Sequence, residues 1–173
     1  IDGTSYCLTY YLTTVTLRQA TGTLVTWSSS TGGTLTSSAA PIALVKWVNS
    51  SGVSQPYVIT KEGIYRYTGS AFVRDVEFTI KNTNNGLFAQ PWVPMSGGIQ
   101  FLVVPNGERL FLFWWDADGA IQPRDITPTF RTQGLPLLRQ GKIYALTTSG
   151  QFLWAWIGGV DSTHIGGWYK NAY

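Results

Sequence analysis

The chain has 173 residues, 12 % of them charged, and a formal net charge of +3; an ordinary domain is about 25 % charged. One His, one Cys and nine scattered carboxylates leave little material for acid–base, nucleophilic or metal chemistry, and no cofactor is expected. The twelve cations are spread singly, unlike the basic stripe of a nucleic-acid binder, and no run approaches the roughly 18 apolar residues that would insert into a membrane.

Strand periodicity recurs along the chain and helical periodicity does not. Tyr6-Cys7-Leu8-Thr9-Tyr10 and Thr14-Val15-Thr16-Leu17-Arg18 alternate in character, which places Cys7 as a buried thiol with no disulfide partner. Ser28–Ser38 is the one low-complexity stretch and reads as an exposed flexible loop. Ile42–Val48 closes on Asn49-Ser50-Ser51-Gly52, which is both a turn signal and a glycosylation sequon, and opens toward Tyr57–Thr60. Thr68-Gly69-Ser70 joins Ile64–Tyr67 to Phe72–Val73. Asp75 to Lys81 alternates without a break, with Asp75 and Glu77 on a solvated face, and Asn84-Asn85-Gly86 follows.

Asn106-Gly107 predicts a tight hairpin between Phe101–Val104 and Leu110–Trp115. Leu110–Trp115 is apolar throughout, so it is covered on both faces or covers a partner. Asp116-Ala117-Asp118-Gly119 reads as the next hairpin turn. Pro123, Pro128 and Pro136 predict an irregular loop over Ile121–Gln140. Ser149-Gly150 joins Ile143–Leu146 to a strand with Phe152, Trp154 and Trp156 on one face. No internal repeat is evident. About nine or ten strands with turns every 8–12 residues predict a single all-β domain over 1–173, an antiparallel β-sandwich of jelly-roll or Greek-key type.

The residues offer three kinds of site. Asp161-Ser162-Thr163-His164 holds the only His, but a triad is assembled by the fold and not by adjacency, so a Ser/Thr or Asx turn is expected there. Asp116, Asp118 and Asp125 could supply the carboxylate pair of a small β-sandwich glycosidase. Asp116-x-Asp118-Gly119 also opens like a calcium loop, yet Thr127 stands where an EF-hand needs Glu, so no metal is expected. The eight tryptophans carry more weight, because Trp joins a large apolar face to one N–H donor. Receptor-facing candidates are Trp47, Trp92 and Trp115 with Asp116 and Asp118. Candidates for contact with a second copy are Leu110, Leu112 and Trp114 on one strand, and Trp154 and Trp156 on another.

In texture, a β domain rich in Thr, Ser, Gly and Trp and poor in charge resembles the protruding domains at the carboxyl end of capsid proteins in small icosahedral RNA viruses. Nodaviruses, tombusviruses and tetravirus-like insect viruses supply examples, and fibre-head and phage tail-tip domains are similar. The opening at Ile1 without Met suits an excised piece, and the ending Gly166-Gly167-Trp168-Tyr169-Lys170-Asn171-Ala172-Tyr173 would suit a natural terminus. The resemblance implies a non-enzymatic module on the virion surface. Its partners would be itself, as a dimer or trimer, and a host receptor that is often a glycan. The alternative reading is a cellular lectin or carbohydrate-binding module.

Overall fold

The computed structural model describes residues 6–11, 14–21, 26–27, 34–36, 41–80, 89–93, 98–107, 109–126, 142–149, 152–158 and 163–168. These residues form fifteen strands and no helix. The chain divides into two compact units, Ile1–Thr79 and Ile80–Tyr173.

In the first unit, β1 (Tyr6–Tyr11), β2 (Thr14–Thr21), β3 (Thr26–Trp27) and β4 (Thr34–Thr36) make one sheet, with β2 pairing β1, β3 and β4. A second sheet follows chain order: β5 (Pro41–Val48), β6 (Ser54–Thr60), β7 (Gly63–Tyr67) and β8 (Phe72–Glu77). Leu35 of β4, 5 % exposed, packs with Val58 and Tyr65 of the second sheet, and Leu44 and Phe72 close around them. The low-complexity stretch is therefore not all open loop. Its one large apolar residue anchors a short strand into the core, because burying Leu35 outweighs the loop-forming tendency of its Ser and Thr neighbours.

In the second unit, β9 (Gln90–Trp92), β10 (Phe101–Asn106), β11 (Arg109–Trp115) and β12 (Ile121–Asp125) form a sheet in the order β12-β11-β10-β9. A three-stranded sheet of β13 (Lys142–Ser149), β14 (Phe152–Gly158) and β15 (Thr163–Trp168) packs against it. Trp92, Val103, Leu110, Leu112 and Ile126 from the first sheet meet Leu146 and Leu153 from the second. Leu102, Val104 and Phe113, which alternation places on the other face of the same strands, are also fully buried. The unbroken apolar run at Leu110–Trp115 thus reflects a strand pair covered on both sides.

Each unit is an all-β pair of packed antiparallel sheets, the sandwich class that strand rhythm predicts. Strand neighbours run almost entirely in chain order, and no Greek-key crossing appears among the described strands. Short turns explain this, since strands joined by two to five residues can only pair with each other. Asn106 closes β10 by pairing with Arg109, and Gly107 after it takes φ 65°, the left-handed value a primed hairpin turn requires.

Two segments depart from their expected form. The alternation from Asp75 does not continue as a regular strand to Lys81: β8 ends at Glu77, and the register slips between Ile64↔Val76 and Tyr65↔Arg74. Asp75 is the extra residue of this bulge. Its side chain turns in to 7 % exposure and takes Nε and Nη2 of Arg66 at 2.7 and 3.2 Å, while Glu77 stays exposed. Ile121–Asp125, expected as the start of a loop, forms β12 despite Pro123. It is an outermost strand, where a missing N–H is tolerated. Pro56 and Pro105 obey the same rule. Each lies past the last residue its strand pairs with a second neighbour, so no ladder donor is lost.

Candidate functional site

Of the sequence candidates, Trp114, Trp115, Asp116 and Asp118 lie at the β11–β12 end of the second unit. A row of rings crosses three strands there. Trp92 pairs with Phe101 in register at a centroid separation of 6.4 Å. Phe101 meets Trp114 edge-on at 5.9 Å, and Trp114 pairs in turn with Gln122 of β12. Burial falls along this row, from Trp92 at 1 % exposed to half-buried Phe101, Trp114 and Gln122. Trp115, also half-buried, points to the opposite face and leads directly into the turn.

The turn itself is organised by Asp116. Its N–H donates to the Ala120 carbonyl at 2.9 Å, and its carbonyl accepts Gly119 N–H at 3.1 Å. Its carboxylate Oδ1 accepts the N–H groups of Asp118 (3.0 Å) and Ala120 (2.8 Å), and Oδ2 accepts Gln122 Nε2 at 2.6 Å. These donors hold the carboxyl below the usual carboxylate range, Ala120 N–H foremost and the Gln122 amide next. Asp116 is therefore ionised at neutral pH and spends its oxygens on the turn and on Gln122, which fixes that amide beside Trp114. Ala117, Asp118, Gly119 and Ala120 stand exposed at the tip.

The other candidates fall elsewhere. Trp47 is 0 % exposed and packs on Tyr57 at 5.2 Å, and Trp92 lies in the core, so neither offers a face to a receptor. Both stand at strand ends, Trp47 next to last in β5 and Trp92 last in β9, yet each supplies a large ring to a core. Leu110 and Leu112 are fully buried against the opposing sheet, leaving no side-chain surface for a second copy. The backbones of Trp154 and Trp156 sit mid-strand in β14, opposite Gly167 and Ile165 of β15; their side chains lie outside the described residues. Thr163 and His164 belong to β15, opposite Gly158 and Ile157, and Asp161 and Ser162 lie outside the described residues. Asp125 pairs with Arg109 at 3.0 Å. Among the described residues, no three His, Cys, Asp or Glu side chains gather as metal ligands would.

Sequence reasoning passed over Phe101 and Gln122, the two residues that join the tryptophans to the turn. The signal for Gln122 was present as Gln55, which stands in the same relation to Asn49. The site rests on its own geometry, for no family model matches the chain, and neither a curated protein nor a solved structure does.

Proposed function

We propose that this chain is a non-enzymatic attachment module of a virion surface, a capsid protrusion that engages a host receptor of glycan type through its β11–β12 end. The observation that carries the reading is the graded aromatic row, which ends in half-buried Trp114 beside a Gln122 amide held by Asp116. Sugars are bound by an aromatic ring under their apolar face and by fixed planar amides and carboxylates at their hydroxyls. Asp116 in this role is an acceptor and anchor; an ionised, fully engaged carboxylate is a poor proton donor, which favours binding over glycoside hydrolysis.

The module acts as a dimer or trimer in this proposal. Such an interface would bury roughly 1,200 Å² or more, and light scattering at micromolar concentration tests it. Leu110 and Leu112 being internal, that interface uses other surface. The same site chemistry would serve a cellular lectin. A shell domain with a basic arm encoded upstream identifies the capsid setting, and a secretion signal or an enzyme domain the other.

A glycan array probed with the protein clustered for avidity is the direct test. Specific retention of one glycan class, lost in Trp114→Ala while the variant stays folded, is the expected result. A blank array with correctly folded, clustered protein refutes glycan attachment.

A further inference from the structure

We infer that residues 46–60 and 113–127 are two copies of one strand–turn–strand unit, displaced by 67 residues (Trp47 to Trp114), and that their turns are interchangeable. One copy lies in each compact unit. The segments are Lys46-Trp-Val-Asn-Ser-Ser-Gly-Val-Ser-Gln-Pro-Tyr-Val-Ile-Thr60 and Phe113-Trp-Trp-Asp-Ala-Asp-Gly-Ala-Ile-Gln-Pro-Arg-Asp-Ile-Thr127. They agree at six of fifteen positions: Trp47/Trp114, Gly52/Gly119, Gln55/Gln122, Pro56/Pro123, Ile59/Ile126 and Thr60/Thr127.

The geometry agrees far more closely than the residues do. Strand pairs match one for one at the same displacement: Val48↔Ser54 with Trp115↔Ile121, Trp47↔Gln55 with Trp114↔Gln122, Lys46↔Pro56 with Phe113↔Pro123, and on to Leu44↔Val58 with Phe111↔Asp125. Gly52 and Gly119 have φ 75° and 76°. Ile59 and Ile126 are each 1 % exposed. In the first turn Asn49 N–H donates to the Val53 carbonyl, and Gly52 N–H to the Asn49 carbonyl. Ser51 and Val53 N–H donate to Asn49 Oδ1 at 3.0 and 2.9 Å. These four bonds are those of the Asp116 turn, atom for atom.

The fifth bond shows how the copies diverged. Asn49 Nδ2 donates to Gln55 Oε1 at 3.2 Å, whereas Asp116 Oδ2 accepts from Gln122 Nε2 at 2.6 Å. One amide rotated about its last bond serves either partner, since Gln carries a donor and an acceptor of nearly the same shape. A five-residue turn needs an Asx residue and a left-handed Gly. It does not need a Trp two positions before, a Gln-Pro after, or an Ile-Thr further on. Their joint recurrence at one displacement points to duplication and not to turn chemistry alone.

The inference stands apart from the proposed function, because its test uses no ligand. In the full chain, Asp116→Asn is expected to melt within about 2 °C of the parent at pH 7, with Gln122 turned to present its carbonyl. Asp116→Ala, which removes the acceptor, is expected to melt roughly 3–8 °C lower. Asn49→Asp should likewise be tolerated at pH 7, with Gln55 turned the other way and stability newly lost in acid. The side-chain amide orientation is read from a crystal structure of either variant. If Asp116→Asn loses as much as Asp116→Ala, or fails to fold, and Asn49→Asp is destabilised at pH 7 as well, the turns are not copies of one device. An unturned Gln122 in a folded Asp116→Asn variant would overturn the exchange equally.

Discussion

Gly63→Ala is the substitution on which the structure makes its sharpest demand. At Gly63 a Cβ would stand 2.2 Å from the backbone carbonyl oxygen of Val76 and 3.4 Å from Arg74 Cδ. An ordinary carbon–oxygen contact lies above 3 Å, so the strand or the bulge must move by roughly 1 Å. The obstructing atom belongs to backbone that is held on both sides, by Ile64↔Val76 and Gly63↔Glu77 across the ladder and by Phe78 N–H on the Glu62 carbonyl at 3.2 Å. Overpacking of this kind costs about 1–3 kcal/mol. Replacing Gly by Ala returns about 0.4–1 kcal/mol by restricting the unfolded chain. The clash wins, and the net loss is about 1–2 kcal/mol, or roughly 2–8 °C in melting temperature for a chain of this size. Thermal and urea unfolding of the variant beside the parent provide the measurement. A melting temperature equal to or above the parent's would refute the reasoning, because it would mean that the Asp75 bulge shifts at no cost.

Asp116 is ionised below the usual carboxylate range only in the folded chain, so its contribution is complete above an unfolded pKa near 3.9 and is lost as pH falls through the lower folded value. A melting-temperature profile from pH 7 to pH 2 should lose one acid-sensitive component in Asp116→Asn. Arg66→Lys, which keeps the charge but not the two-pronged contact with Asp75, is expected to cost about 0.5–1.5 kcal/mol in urea unfolding. Arg66→Ala, leaving Asp75 buried and unpaired, should cost about 1–3 kcal/mol, below the usual figure for a buried pair because Arg66 is a quarter exposed. Trp47→Ala should cost about 3–5 kcal/mol and Trp114→Ala about half that, since the first ring is wholly buried and the second is not.

Where the chain names its own turns, the fold was legible. Asn106-Gly107, Thr68-Gly69 and Asp116–Gly119 each sit between strands that pair with each other, because a left-handed residue between two apolar runs admits few other outcomes. The bulge at Asp75 was not legible. Polar–apolar alternation reads the same whether or not one residue is extra, and only the partner strand reveals the slip. Pro123 misled for a related reason, since a proline bars a central strand but the sequence does not say which strands are outermost. At the site, Trp47 and Trp114 stand at equivalent points of their turns, yet one is core and the other half-exposed. Their difference comes from residues distant in the chain. The duplication is faint in the residues because its framework is carried by hydrogen-bond roles, Asn49 for Asp116, as much as by identity.

The outer strands β8 and β12 bear on how copies of this chain behave when crowded. An unpaired strand edge is a template for a second molecule to add a strand, and a flat one seeds aggregation. β12 breaks that template with Pro123 and carries Arg124 and Asp125 beside it, while β8 is kinked by its bulge and bears exposed Arg74 and Glu77. Both margins therefore repel the continuous backbone pairing that would zip neighbours into a shared sheet. Charge and broken backbone geometry thus stand where unwanted lateral fusion would begin, so that copies held close together remain separate molecules.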